Sequence, residues 1–190
     1  MRRAQVVAVW VGGKAKFASL EEPLAALRRA GASDSPSRQD GKWMDITWLT
    51  DRIGVGGGIW TANNMAKVAR AGITHIIDMQ IEFDDTPLAV EHGIEVLWNP
   101  TDDDFEPKPA ALFQRGVKFA EEALAGVDAK LFIHCAAGVH RAPMMALAVL
   151  GSMGWRLEDA VQLIEGRRPV ADLADVYVLS VEEFLDGMRS

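Results

Sequence analysis

One short stretch of the sequence brings a cysteine and an arginine together across a chain of small residues. The stretch is Leu131–Pro143, with the sequence LFIHCAAGVHRAP. Cys135 is the only cysteine in the chain, so it cannot form an intramolecular disulfide. A cysteine thiolate is a nucleophile, and the guanidinium of Arg141 offers a planar fork of N–H donors that matches two phosphate oxygens. The pair therefore predicts nucleophilic attack on a bound phosphate.

The loop between the two side chains can complete a phosphate site. Two alanines and Gly138 let the backbone curl, so that successive N–H groups aim at one point ahead of the helix that follows. Such amides at a helix N-terminus bind an anion and stabilise a thiolate without net positive charge. The residues predicted to bind the phosphate are Ala136, Ala137, Gly138, Val139, His140 and Arg141. The alternative is that Cys135 is an inert cysteine of the core.

Charge and hydropathy exclude several classes of function. The 190 residues carry a net charge of −7, which argues against a nucleic-acid partner. No apolar run approaches the roughly 18 residues of a membrane helix, so we expect no membrane partner and a cytoplasmic protein. His75 and His92 do not have the spacing of metal ligands, and we predict neither a metal nor another cofactor. The oligomeric state is left open.

Alternating strands and helices must position this stretch. This alternation predicts an α/β fold with a central, mostly parallel sheet flanked by helices. The most apolar strand is expected at the centre, and Cys135 follows it at the carboxyl end, where ligand sites of such sheets lie. We predict strands at Ile46–Leu49, Arg52–Val55, Thr74–Met79, Glu95–Trp98 and Lys130–His134, and helices at Asn63–Ala71, Pro109–Ala125 and near 141–153, 157–166 and 176–188.

The first 42 residues form a separate part. We predict a strand over residues 4–11 and a helix that opens at the capping box Ser19–Glu22 and runs to about Arg29. Residues 31–42 are rich in Gly, Ser and Pro, which is typical of a linker. Residues 1–42 are therefore an extension and linker, and residues 43–190 the main domain. The extension could pack on the core, cover the active site or mediate dimerisation.

The segment HCAAGVHR resembles the HCxxGxxR motif of protein tyrosine phosphatases, and residues 45–188 are similar to the dual-specificity branch. Ile53–Gly58 and Gly72–Asp78 resemble strands of that branch. The resemblance implies that residues 43–190 are a catalytic domain with the phosphotyrosine protein phosphatase fold. It also implies a phosphorylated protein or peptide as substrate and a phosphocysteine intermediate. His134 would then support the loop behind the nucleophile.

The resemblance also implies an aspartate that protonates the leaving oxygen. In the segment Pro100–Phe105, it favours Asp103, with Asp102 as the second candidate. Mutual repulsion among neighbouring carboxylates favours a protonated form, which suits an acid. The alternative is a solvated acidic turn.

The sequence departs from the family at Ala142, where the resemblance leads us to expect Ser or Thr that helps the thiolate leave. Hydrolysis of the intermediate is therefore expected to be slow, and a phosphoresidue-binding module with little turnover is an alternative. Lipid and RNA 5′-phosphates remain alternative substrates, although the absence of lysines from the loop disfavours inositides and the acidic chain disfavours RNA. An arsenate reductase would need further cysteines. Arg167 and Arg168 are predicted to be a solvated helix end, with a contact to phosphate or protein as the alternative, and the tryptophans to be packing residues.

Overall fold

The computed structural model describes residues 6–11, 14–19 and 44–189, which fall into two units, Met1–Lys42 and Trp43–Ser190. In the first unit, β1 (Val6–Val11) and β2 (Lys14–Ser19) pair antiparallel. The predicted strand over residues 4–11 corresponds to β1, whereas β2 was not predicted. Ser19, where a helix was predicted to open, ends β2 instead; the rest of that predicted helix and the linker lie outside the described residues, and the role of this unit stays a prediction.

A five-stranded sheet forms the centre of the second unit. Its strands are β3 (Ile46–Trp48), β4 (Ile53–Gly56), β5 (His75–Asp78), β6 (Glu95–Trp98) and β7 (Leu131–His134). Their spatial order is β3-β4-β7-β5-β6; β3 runs antiparallel to β4, and the other neighbours are parallel. The prediction of a mostly parallel sheet with the strand before Cys135 at its centre is confirmed.

Helices connect these strands and cover the sheet. They are α1 (Ala62–Arg70), α2 (Thr86–Ala89), α3 (Ala110–Leu124), α4 (Arg141–Ser152), α5 (Leu157–Arg167) and α6 (Asp175–Arg189), with a 3₁₀ turn at Val90–His92. The five predicted helices and five predicted strands of this unit are present, with ends that differ by at most one residue. Helix α2 and the 3₁₀ turn were not predicted, because one turn of helix is too short to show an apolar period.

The two faces of the sheet bury two separate apolar clusters. Leu131 and Ile133 of β7 point into the larger cluster, whereas Phe132 between them points into the smaller one. This alternation is the two-residue period of a strand that is buried on both faces. Helix α4 lies in the larger cluster, and its residues from Arg141 to Gly151 are all buried. Its nearly continuous apolar sequence accounts for that position, because a helix that is apolar on all sides must be enclosed by protein.

Across residues 6–11, 14–19 and 44–189, no helix is both long enough and apolar enough to cross a lipid bilayer.

Candidate active site

Cys135 lies directly after the central strand, where the chain leaves the sheet. The backbone N–H of Cys135 donates to the carbonyl of Gly56 on the neighbouring strand, over 3.4 Å. Its Sγ accepts the N–H of Gly138, over 3.2 Å. The side chain is almost fully buried. The sulfur is thus held at the sheet edge beneath a curled loop that aims at least one N–H toward it.

Gly138 lets the loop make this curl. Its φ of +65° lies in the left-handed region, which favours glycine. A Cβ at this position would lie 2.4 Å from Nη2 of Arg168 and 2.5 Å from the carbonyl oxygen of Gly56. Both the backbone angle and the close approach of its neighbours therefore require glycine here.

Arg141 follows the loop as the first residue of α4, and its guanidinium is buried against Glu82. Nη1 and Nη2 donate to the two carboxylate oxygens of Glu82, over 2.9 and 2.8 Å. Nη1 also reaches the carbonyls of Met79, at 3.5 Å, and Thr101, at 3.2 Å. Nε is buried and has no hydrogen-bond partner among the described residues.

The ion pair between Arg141 and Glu82 stabilises the charged form of both side chains. Burial opposes the charged form of Arg141, but the hydrogen bond to Glu82 and the negative charges of Cys135 and Asp103 raise the pKa of Arg141 overall. The hydrogen bond from Arg141 lowers the pKa of Glu82. Arg141 is therefore a permanent cation that is already oriented.

Within the segment Pro100–Phe105, Asp103 is the acidic residue that contacts the phosphate loop, Ala136–His140. One carboxylate oxygen, Oδ1, accepts the hydroxyl of Tyr177 over 3.2 Å, and Oδ2 lies 2.9 Å from Nδ1 of His140. Oδ2 is also 4.0 Å from Nε of Arg141. Asp102 is exposed, and Asp104 pairs with Lys108. Of the two predicted acids, the structure brings Asp103 to the loop.

Aromatic residues hold this acidic segment against helix α6. The ring of Phe105 stacks on Tyr177, with centroids 5.8 Å apart, and meets the edge of His140 at 5.0 Å. The N–H of Phe105 donates to the Tyr177 hydroxyl over 3.0 Å. Phe105 also adopts a φ of +58°, an unfavourable angle for a residue with a side chain. Residues 102–106 are exposed, as in the solvated-turn alternative, but Asp103 and Phe105 are also tied to Tyr177 and His140, and the role of Asp103 stays a prediction.

His134, the residue before Cys135, is part of a buried polar network. Its Nε2 lies 3.1 Å from Asp85 and 3.8 Å from Asp78, and all three side chains are fully buried. Burial raises the pKa of Asp78 to about 6, although the charge of His134 and the backbone N–H of Gln80 act in the opposite direction.

The same three side chains are close enough to one another to hold a metal ion. However, the two oxygens of Asp78 already accept the backbone N–H groups of Gln80 and Asp85, over 2.9 and 3.2 Å. Both side-chain oxygens of Asp85 and both ring nitrogens of His134 are buried without a hydrogen-bond partner among the described residues, so the hydrogen bonds of this cluster anchor Asp78 alone.

The prediction for the double arginine at the end of α5 is wrong for Arg168. Arg167 is exposed, but Arg168 is buried. Its Nε donates to the carbonyl of Gly138 over 2.6 Å, and Nη2 donates to that of Ala137 over 3.3 Å. The other face of the guanidinium pairs with Asp45, over 2.8 and 3.0 Å. Arg168 thus binds the outward-facing carbonyls of the phosphate loop.

Trp60, one of the tryptophans predicted to pack, does pack on the protein but is 43% exposed. Its indole lies against Gly58, because a Cβ on that glycine would be 2.3 Å from the indole nitrogen. The N–H of Gly58 donates to the carbonyl of Ala136 over 3.1 Å. Trp60 therefore lies beside the segment that supports the phosphate loop.

Sequence reasoning missed Glu82, Asp78 and Asp85, and it misjudged Arg168. One signal was available, because Asp78 ends a strand and Glu82 follows it closely, at the sheet edge where ligands bind. No comparable signal existed for Arg168, whose partners lie 30 or more residues away along the chain.

Known proteins resemble this chain in sequence. The catalytic domain of dual specificity phosphatases matches residues 58–184. Protein-tyrosine-phosphatase IBR5 of Arabidopsis thaliana is 30% identical over 77 residues, which cover 40% of this chain and 30% of that protein. Dual specificity protein phosphatase 26 of Homo sapiens is 32% identical over 113 residues, which cover 58% and 51%. The chain thus spans about half or less of the length of these curated relatives.

Solved structures show the same fold. The structure of PTPMT1 in complex with PI(5)P matches with a TM-score of 0.68 and 20% identity, over 76% of this chain and 96% of that chain. Human DUSP28 matches with a TM-score of 0.65 and 19% identity, over 76% and 95%. The family match covers most of the chain, including the phosphate loop, and the chain therefore belongs to the dual-specificity phosphatase family.

Proposed function

We propose that the protein is a cysteine-dependent phosphatase that hydrolyses phosphotyrosine, and also phosphoserine or phosphothreonine, in proteins through a phosphocysteine intermediate. The observation that carries the proposal is the convergence of three groups on one loop. The sulfur of Cys135 accepts a loop N–H, Nε of Arg141 has no acceptor among the residues that the structure describes, and Oδ2 of Asp103 lies 4.0 Å from that Nε.

The reaction has two steps. In the first, the Cys135 thiolate attacks phosphorus, the bond from phosphorus to the leaving oxygen breaks, and Asp103 gives its proton to that oxygen. In the second, a water attacks the phosphocysteine while Asp103 takes a proton from the water, which releases phosphate and restores the thiolate. The loop amides from Ala136 to Arg141 and the guanidinium stabilise the charge on the equatorial oxygens in both steps.

Glu82 prepares Arg141 for this task. Because Glu82 holds Nη1 and Nη2, the guanidinium does not have to be ordered when phosphate binds, and its Nε edge is left for a phosphate oxygen. Preorganised donors of this kind stabilise a transition state more than mobile ones do.

The rim of the site supports a phosphotyrosine substrate. Phe105 is 51% exposed and touches His140 of the phosphate loop, and Trp60 lies beside the loop on the segment that follows β4. Exposed aromatic side chains can stack on the ring of a phosphotyrosine, with ring centroids at roughly 4.5–7 Å.

Hydrolysis of para-nitrophenyl phosphate and of a panel of phosphopeptides tests the proposal. Cys135→Ser should abolish turnover but keep substrate binding, because a serine hydroxyl is a much weaker nucleophile. Met153→Ala, at an exposed residue of the α4 C-cap, is the control for the effect of substitution as such. Full activity in Cys135→Ser would refute the mechanism.

The second candidate is a phosphoresidue-binding module, and the observation that favours it is the buried Ala142 in place of a hydroxyl. Tight binding of phosphopeptide by the unaltered protein, without release of phosphate, would support this reading over the enzyme. Phosphoinositide vesicles and a 5′-phosphorylated RNA belong in the same panel. Hydrolysis of these and not of phosphopeptides would reassign the substrate class while retaining the chemistry.

A further inference from the structure

His140, the last residue of the phosphate loop, is held on both edges of its ring. Nδ1 lies 2.9 Å from Oδ2 of Asp103, and Nε2 lies 3.5 Å from Oδ2 of Asp172. The rings of Phe105 and His140 meet edge to face, with their centroids 5.0 Å apart. The sequence predicted His140 among the residues that bind the phosphate, and the structure turns its side chain toward the proposed acid.

The far partner of the ring is itself tied to the same loop. The N–H of Asp172 donates to the carbonyl of Val139 over 2.8 Å. His140 is therefore enclosed by the acidic segment on one side and by the segment after α5 on the other. Its ring orientation is fixed relative to the phosphate loop.

We propose that His140 is the positioning residue for Asp103, and that it orients the acid from within the loop that binds phosphate. The inference rests on the proposed function, in which Asp103 is the general acid. Without His140, the bond from the Tyr177 hydroxyl to Oδ1 would be the one side-chain hydrogen bond left to Asp103 among the described residues. Because the terminal torsion of a carboxylate side chain is soft, a single hydrogen bond would orient it poorly. With it, each carboxylate oxygen has its own partner.

An imidazole suits both steps of the reaction. A ring that carries a proton on Nδ1 donates to Oδ2 of the ionised Asp103, and it can still do so when the acidic proton is on the other oxygen, Oδ1. The contact between His140 and Asp103 therefore survives when Asp103 changes from acid to base. An alanine has no such donor, so His140→Ala removes the contact.

Two aryl phosphates distinguish orientation of the acid from general support of the loop. A substituted phenol that leaves easily, as from 2,4-dinitrophenyl phosphate, needs little protonation, whereas unsubstituted phenol needs an acid. General acid catalysis contributes about 10²–10⁴-fold, so we expect His140→Ala to lower kcat/KM for phenyl phosphate by about tenfold or more. The loss for the dinitrophenyl ester should be much smaller.

Three further variants complete the design. In His140→Asn, the amide can take the place of Nδ1, and it should restore most of the loss for phenyl phosphate. Asp103→Asn should show the same dependence on the leaving group as His140→Ala, and the double variant should be no worse than Asp103→Asn alone. Inorganic phosphate binding and thermal unfolding, measured on each variant, report the state of the loop.

The outcomes separate the two proposals. An equal loss for both esters in His140→Ala, or a further loss when it is added to Asp103→Asn, would overturn the role of His140 while Asp103 remains the acid. If Asp103→Asn itself shows no dependence on the leaving group, Asp103 is not the acid, and this inference is refuted with it. A leaving-group-selective loss in both single variants, without additivity, is the expected result.

Discussion

Ala142 is buried in the first turn of α4, next to Arg141. The family resemblance implies a hydroxyl at this position that would stabilise the departing thiolate of Cys135. Ala142→Ser should therefore speed hydrolysis of the phosphocysteine. One additional hydrogen bond in that transition state corresponds to about tenfold in turnover at saturating substrate. Stopped-flow measurement should show a burst of leaving group in the parent that shrinks in the variant.

A matched control for this prediction lies one turn further along the helix. Ala146 is equally buried, and Ala146→Ser should leave the burst unchanged. An unaltered protein without a burst, together with an unchanged steady-state rate in Ala142→Ser, would show that the intermediate does not limit turnover.

Gly138 combines a left-handed φ with close contacts, and a second glycine allows the two effects to be separated. Gly93 has a φ of +62° but nothing within 4 Å of a Cβ, whereas Gly138 would meet Arg168 and Gly56. Each alanine substitution should cost about 1 kcal/mol or more of unfolding free energy from the backbone angle. Only Gly138→Ala should also weaken binding of inorganic phosphate. Calorimetry would test this, and equal phosphate affinity in the two variants would contradict it.

At the level of the elements, Arg168 joins the end of α5 to the phosphate loop and to Asp45 beside β3. Arg168→Met keeps much of the apolar stem and removes these charged hydrogen bonds. We expect a loss of about 2 kcal/mol or more of unfolding free energy, because hydrogen bonds to charged groups are worth about 1.5–3 kcal/mol each. Phosphate affinity should fall too. Arg167→Met, at the exposed neighbour, should change neither quantity in denaturant titrations.

Asp78, in the buried cluster with Asp85 and His134, makes the free energy of unfolding depend on pH. The folded protein keeps the proton of Asp78 up to about pH 6, whereas an unfolded chain releases it near the ordinary value of 3.8. Between these values the folded state binds more protons, so its stability falls as the pH rises. This shift in the pKa of Asp78 corresponds to at most about 3 kcal/mol of unfolding free energy.

Urea unfolding between pH 4 and 7 can isolate this contribution. Asp78→Asn cannot ionise, so the fall in unfolding free energy that belongs to Asp78 should be absent from the variant. Parallel pH profiles for the two proteins would mean that Asp78 ionises in the folded state as easily as in the unfolded one.

The elements also show which parts of the structure a sequence can predict. The strands around β7, the long helices and the loop from Cys135 to Arg141 follow from local patterns, since periodicity and a short motif lie within a few residues of one another. Arg168 acts through partners 30 to 123 residues away, so nothing in its neighbourhood marked it, and the partner of Glu82 lies 59 residues away, so its position after a strand end did not identify Arg141 as that partner. His140 was placed in the loop, but its orientation depends on where two distant segments meet.

At the level of the whole molecule, the net charge of −7 works against the charge of the substrate. Acidic flanks on a phosphopeptide should slow its association, and basic flanks should speed it. We expect kcat/KM to be higher for a phosphopeptide flanked by lysines than for one flanked by glutamates, and about tenfold would be ordinary for steering of this kind. The gap should narrow as the salt concentration rises, because the Debye length falls to about 3 Å at 1 M. A gap that does not respond to salt would point to direct contacts instead.

The enclosure of α4 ties the chemistry to the integrity of the entire domain. This helix starts at Arg141 and runs through the larger apolar cluster, so the downstream end of the loop before it is anchored in the buried core of the domain. A surface loop can drift while its scaffold stays intact, but this one has no such freedom. Heat or denaturant should therefore extinguish catalysis and melt the hydrophobic interior in a single cooperative event.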